Sequence, residues 1–156
     1  MAAYAANNAL GGTPQNLTTS YKTIVALTAA TATLTSAKIY DVLIGSDGAP
    51  SDNAITWDIS RQTAAGTSTS ITPLALDPTV RACGTAGTAN FTAEGTITAA
   101  SSVFNIAINQ RASYRWVAAP GSELVIPATN LSGFALRAKS PTGYTSTVTG
   151  EMLFSE

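Results

Sequence analysis

Apolar and polar positions alternate with a period of two along much of the chain. Around residues 114–118, Tyr114, Trp116 and Ala118 fall on one face, and Arg111, Ser113, Arg115 and Val117 fall on the other. That is the pattern of a half-buried strand. Pro120-Gly121 follows. Proline presets the first central φ of a type II turn and glycine accepts the positive φ of the second, so the chain is expected to reverse here and bring Leu124, Val125 and Ile126 back into the core. Tyr114 and Trp116 would then anchor the neighbouring layers.

Other stretches repeat the pattern. Residues 21–28 alternate Tyr21, Thr23, Val25 and Leu27 against Lys22, Ile24 and Ala26, with the β-branched content that favours strands. Residues 29–36 read as an Ala/Thr connection. Residues 38–45 are apolar on both faces, as in a central strand. Ile55, Trp57 and Ile59 alternate with Thr56, Asp58 and Ser60. Residues 68–72 suit a short edge strand, and Asp77-Pro78 followed by Gly84 predicts one or two turns of helix. Residues 84–90 read as open loop and residues 91–98 as a strand, with a turn over 99–102. Phe104, Ile106 and Ile108 then face inward opposite Asn105, Ala107 and Asn109. Phe134, Leu136 and Ala138 face inward opposite Arg137 and Lys139, and residues 144–154 form the last strand. Such spacing, without a long helical pattern, predicts an all-β, single-domain antiparallel β-sandwich. About eight strands with one long mid-chain connection point to a jelly roll.

Residues 1–20 carry no charged side chain, and Gly11-Gly12-Thr13-Pro14 interrupts regular structure. They read as an extended N-terminal arm preceding a sandwich domain of residues 21–156. Tyr4, Leu10 and Leu17 are out of place in a solvated tail. The arm is therefore expected to lie along its own domain or along a neighbouring subunit, with these three side chains as candidate interface contacts.

Composition narrows the chemistry. With 11% charged residues and a net charge of −1 among 156 residues, there is no basic stripe to neutralise phosphates, so nucleic acid is not an expected partner. No run of about 18 apolar residues suggests a membrane span, and no secretory leader is evident, so synthesis in the cytoplasm is expected. The chain has no histidine, which removes the commonest general base and the usual partner of a catalytic serine or cysteine. The single cysteine, Cys83, reads as an inert small hydrophobe. Asp47 and Asp52 flank a glycine but lack the ligand spacing of a calcium loop. The sequons at Asn16, Asn90 and Asn130 read as chance in a chain rich in threonine and serine. No catalytic, metal or cofactor site is expected. Asp41, Asp58, Glu94, Glu123 and Glu151 are the acids a glycosidase would have to pair. Trp57, Trp116 and Tyr144 are the aromatics a carbohydrate-binding module would expose. Arg111 and Arg115 share an outward face, where each guanidinium suits a carboxylate of a partner or simply faces solvent.

The residues 3–15, Ala-Tyr-Ala-Ala-Asn-Asn-Ala-Leu-Gly-Gly-Thr-Pro-Gln, resemble small virion proteins of tailed bacteriophages, in particular jelly-roll capsid decoration (cement) proteins. Residues 110–125 and the following Pro127-Ala128-Thr129-Asn130-Leu131-Ser132-Gly133 carry the same resemblance. It implies a homotrimer on the outer capsid shell that locks neighbouring major capsid protein subunits together without chemistry. A head-fibre or tail component that binds a host receptor or glycan is the alternative, since such proteins share this kind of fold.

Overall fold

The computed structural model describes residues 1–32 and 36–156. Residues 33–35, in the middle of the expected 29–36 connection, lie outside the described residues. In chain order the strands are β1 (Ala3–Asn7), β2 (Gln15–Asn16), β3 (Lys22–Ala29), β4 (Lys38–Asp47), β5 (Ala54–Ala64), β6 (Thr67–Ile71), β7 (Leu74–Ala75), β8 (Thr85–Ala93), β9 (Thr96–Asn109), β10 (Tyr114–Val117), β11 (Leu124–Val125), β12 (Gly133–Lys139) and β13 (Thr147–Ser155). They form two antiparallel sheets packed as a sandwich. One sheet runs β10-β4-β13-β1-β7, with β11 also paired to β4 and β2 to β13. The other runs β6-β8-β3-β12-β5-β9.

Alternation explains how each sheet meets the other. Tyr4 and Ala6 of β1, Val42 and Ile44 of β4, and Met152 and Phe154 of β13 are buried from one side. Ile24 and Leu27, Trp57 and Ile59, and Phe134 and Leu136 are buried from the other. Where a side chain would hold the sheets apart the chain uses glycine. A Cβ on Gly150 would stand 2.7 Å from Leu136 Cδ2 and 3.2 Å from Ile24 Cγ2. A second, smaller cluster lies outside this core, where Phe91 and Ile97 pack against Ala26 and Ala135. These small residues explain why β3 is buried almost throughout, where alternation alone predicted a half-exposed strand.

Several expectations are corrected. Residues 1–20 do not stand apart as an arm on this chain. β1 pairs along its length with β13 and reaches β7 on its other side, β2 pairs with β13, and Asn8–Gly11 forms a 3-10 turn capped by Asn7. Tyr4, Ala6, Asn8, Gln15 and Leu17 are buried against the chain's own sheets. The helix expected near Asp77 is a turn: the Asp77 carboxylate accepts from the Thr79 backbone N–H and hydroxyl, and the Val80 N–H donates to the Asp77 carbonyl, but the chain does not continue as a helix. Among the described residues there is no α-helix.

The expected loop over 84–90 belongs to β8. Its turn into β9 falls at Glu94-Gly95 instead of 99–102. At the latter place β9 bulges. Ser102 opposes Ser60 and Ile97 opposes Gln62, so residues 98–101 stand against Arg61 alone. Ala100 takes φ +53° there, and the Ser101 hydroxyl accepts from Arg61 N–H and donates to the Thr98 carbonyl.

The Pro120-Gly121 turn forms as expected: Gly121 has φ +84°, and Ser122 N–H donates to the Ala119 carbonyl at 2.9 Å. It does not reverse the chain, however. Tyr114 to Val117 oppose Ile44 to Asp41, and Leu124 and Val125 then oppose Ile39 and Lys38. Thus β10 and β11 run in the same direction along one edge of β4, and residues 118–123 are an excursion between them. Trp116 is only half-buried, and Tyr114 is exposed.

Candidate functional site

The sheet containing β4 and β13 has an outer face that no other element covers completely. Residues that face away from the core line up across its strands in register. One row runs Val117, Asp41, Leu153, Ala5, Leu74, each opposite the next. The adjacent row runs Arg115, Leu43, Glu151, Asn7. Leu43, Leu74 and Val117 are exposed. This surface combines aliphatic and small polar groups with Asp41, Arg115 and Glu151.

Its electrostatics are largely settled within the chain. Arg115 sits diagonally across from Asp41, within reach of a long side chain. Its Nε donates to both carboxylate oxygens at 3.0 Å and its Nη2 to Oδ2 at 2.5 Å. The Asp41 side chain is 4% exposed and the Arg115 side chain 64%. The guanidinium therefore lies over the carboxylate and presents a flat, partly neutralised surface to solvent. Beside it, an open concavity of about 520 Å³ is bordered by Tyr114, Arg115, Ser113, Asn7, Asn8 and Glu151. Asn7 Nδ2 donates to Glu151 Oε1 at 3.3 Å, and buried Asn8 bridges the Val148 carbonyl and the Gly150 N–H.

The residues singled out from sequence are dispersed. Arg115 is on the outer face as expected, with its carboxylate partner supplied by its own chain. Arg111 is exposed just beyond β9, where its N–H is held by the Asn109 side chain. Tyr4 and Leu17 are corrected: both are buried in the chain's own core. Tyr4 stacks on Phe154 with ring centroids 5.3 Å apart, and its hydroxyl donates to the Arg81 carbonyl. Leu10 is exposed on the 3-10 turn. None of these three joins Arg111 or Arg115 in one patch. Val117 is on the outward face as its alternation predicts, and Leu43 is on the second apolar face expected of residues 38–45, whereas nothing in the sequence signals that Leu74 and half-buried Leu153 share that face.

The five acids are each engaged locally. Asp58 lies on the other sheet, with Ser60 Oγ at 2.6 Å, Arg137 Nη2 at 2.5 Å and the Ser102 hydroxyl also donating to it. Burial opposes its ionisation, but these hydrogen bonds and the Arg137 charge hold its carboxyl below the usual carboxylate range. Glu94 accepts from Thr23 N–H at 2.9 Å and from its hydroxyl. Glu123 closes the 118–123 excursion by accepting from Gly121 N–H. Trp57 is buried and Trp116 half-buried, which leaves Tyr144 as the exposed one of the three aromatics considered for sugar stacking. Cys83 is half-buried, and burial pushes its thiol pKa up. Among the described residues, no group of three or more His, Cys, Asp or Glu side chains is placed to hold a metal, and no helix is long and apolar enough to cross a membrane. No family model, no curated protein and no solved structure matches this chain.

Proposed function

We propose that this chain is a structural virion subunit: a decoration, or cement, protein that binds the outer capsid shell and stabilises contacts between major capsid protein subunits. The reading joins the resemblance in residues 3–15 and 110–133 to one observation, the open outer face of the β4/β13 sheet. Burying an unpaired ion against a partner is costly, whereas aliphatic and small polar groups shed water cheaply. Here the ion pair at the β10 side of the face, Arg115 over Asp41, is already closed within the chain. Docking would leave Asp41 with its partner and add apolar burial from Leu43, Leu74 and Val117.

On this reading the sandwich is a jelly roll, the protein is made in the host cytoplasm and works on the virion surface, and its role needs no cofactor or reaction. Association of copies, which the resemblance implies as a homotrimer, would multiply modest shell contacts through avidity.

The test is to add purified protein to shells assembled without it and to image the particles. Lattice-wide density on the outer surface, abolished by Leu43→Glu and Val117→Glu in a chain with an unchanged circular-dichroism spectrum, is the expected outcome. Density confined to the tail or portal refutes the reading.

A second reading is favoured by the concavity beside Tyr114. At about 520 Å³ it falls in the size range of small-ligand sites, and it is bordered by Ser113, Arg115, Glu151 and two asparagines. A head-fibre or tail component that binds a host glycan would use it in this way. Glycan binding lost on Glu151→Ala, with no binding to shells, would establish that alternative.

A further inference from the structure

We infer that two copies of this chain associate through the free edge of β9, in a two-fold antiparallel strand pair centred on Ile106. The inference rests on the fold and is independent of shell docking.

β9 is a 14-residue strand at the end of its sheet, and β5 is its one strand partner among the described residues. Natural edge strands are shielded by charge, proline, shortness or cover. β9 contains no charged residue and no proline, and its register shifts spare residues 104–109. The ladder to β5 fixes which backbone groups are free. Asn109 opposes Ala54, and Gln110 N–H donates to the Asn53 carbonyl at 2.8 Å, which makes Asn109 and Ala54 a non-hydrogen-bonded pair. Counting back by alternation, Phe104, Ile106 and Ile108 bond to β5, while the N–H and C=O groups of Asn105 and Ala107 point away from it.

The side chains along this edge leave the core incompletely closed. Phe104, Ile106 and Ile108 pack against the main core but are only half-buried, as is Trp116 of β10 in the facing sheet. Tyr114 is 37% exposed with its ring 6.0 Å from that of Phe104, and Val103 is 43% exposed.

A second copy supplies what this edge lacks because the segment is self-complementary. A two-fold axis at Ile106 places Asn105 opposite Ala107 of the other copy, and their free backbone groups then exchange hydrogen bonds. The same axis sets Phe104 beside Ile108 and Ile106 beside Ile106, so the open side of one core closes against the other. No charge opposes a like charge along the paired segment. Residues 104–108 with one flanking residue on each side give a wall about 24 Å long, and two sheets about 10 Å apart with their flanking side chains make it roughly 20 Å thick. That is on the order of 500 Å² per partner, at the weak end of specific interfaces, so a dissociation constant on the order of micromolar is expected. The pair uses a side of the sandwich, so the outer face of the β4/β13 sheet stays free. It also differs in symmetry from the homotrimer that the resemblance implies.

The experiment is sedimentation equilibrium of the full chain across a range of about 1 to 200 μM, which brackets the expected constant, together with hydrogen exchange at both ends of that range. A monomer–dimer equilibrium is expected, with the Asn105 and Ala107 amides protected only at high concentration. Ala107→Pro removes an outward N–H without touching the β5 ladder, so it should weaken dimerisation by about tenfold or more. In a Cys83→Ser background, Ile106→Cys should form an intermolecular disulfide on oxidation, because non-hydrogen-bonded partners bring Cα atoms to about 4.5 Å. A monomer throughout, a trimer, or a dimer whose Asn105 and Ala107 amides exchange at the same rate at both concentrations would overturn the inference.

Discussion

Replacing Arg137 with methionine tests how the outer side of the β12/β5 sheet is held. Arg137 and Asp58 are directly opposite in register, and the pair is closed on both sides: the arginine side chain is 16% exposed and the aspartate 3%. Methionine retains much of the aliphatic volume but removes the charge and three hydrogen bonds, two to Asp58 Oδ2 and one to Ser60 Oγ. Stranding one member of a buried pair costs about 3–5 kcal/mol. The Ser60 and Ser102 hydroxyls stay with Asp58, which argues for the low end. Loss of the guanidinium from its place 4.7 Å over the Tyr21 ring adds about 0.5–1 kcal/mol. A loss of about 3–4 kcal/mol at pH 7 is expected, seen in urea titrations as a midpoint lowered by about 1.5–2 M if the slope is near 2 kcal/mol/M.

The pH dependence gives a signature that a packing defect would not. In the wild type the Asp58 carboxyl titrates below its unfolded value, so its contribution is complete above the ordinary carboxylate range of about 4 and is lost as pH falls through the lowered folded value. In Arg137→Met the guanidinium no longer offsets burial, and the folded carboxyl shifts up. The variant then carries its penalty at high pH and sheds it as the acid protonates. The difference between the two proteins should shrink by more than half between pH 7 and pH 4. A deficit under about 1 kcal/mol at pH 7, or one equal at both pH values, would refute the account.

Tyr4→Ala should cost about 3–5 kcal/mol by emptying a core site against Phe154, and Tyr4→Phe about 1 kcal/mol through its hydrogen bond to Arg81, both read by chemical denaturation. Deleting residues 1–7 should abolish cooperative unfolding, because β1 lies between β13 and β7; a sharp transition in the truncated chain would show the strand to be dispensable. Gly133→Ala should destabilise by about 1–3 kcal/mol, since the added methyl runs into the Leu27 carbonyl where β12 passes β3. Cys83 should react with a disulfide reagent at neutral pH more slowly than in the unfolded chain, and equal rates would contradict its shielded thiol.

Much of the sandwich was legible because its central strands bury large side chains at alternate positions, as in Ile55, Trp57 and Ile59. β8 was hidden for a physical reason. Before Phe91 its buried positions are Thr85, Gly87 and Ala89, small because Ile71 and Pro73 lie over Gly87, so the first half of the strand carries no large hydrophobic signal. The signal for β1 was present: Tyr4 and Ala6 alternate with Ala3, Ala5 and Asn7, but the nearby glycines and proline outweighed it. The ion pairs were not legible at all. Arg137 meets Asp58 from 79 positions away and Arg115 meets Asp41 from 74, so only strand register brings them together. The extent of the open face was hidden for the same reason: residues 38–45 show two apolar faces in sequence, but only strand register sets Leu43 beside Arg115 and Glu151, and Leu153 beside Asp41.

The excursion between β10 and β11 separates sequence length from sheet register. In a hairpin, an inserted residue shifts the pairing of the returning strand and turns its side chains to the wrong face. Here both strands lie along β4 in one direction, and each is fixed by its own bonds to it. Added residues between Ala118 and Glu123 would therefore only enlarge a loop, at about 0.6 kcal/mol for each doubling of its length. That makes this excursion a natural point for grafting a foreign peptide. It stands at the border of the outer face, and its tip can diversify while the strands that anchor it keep their places.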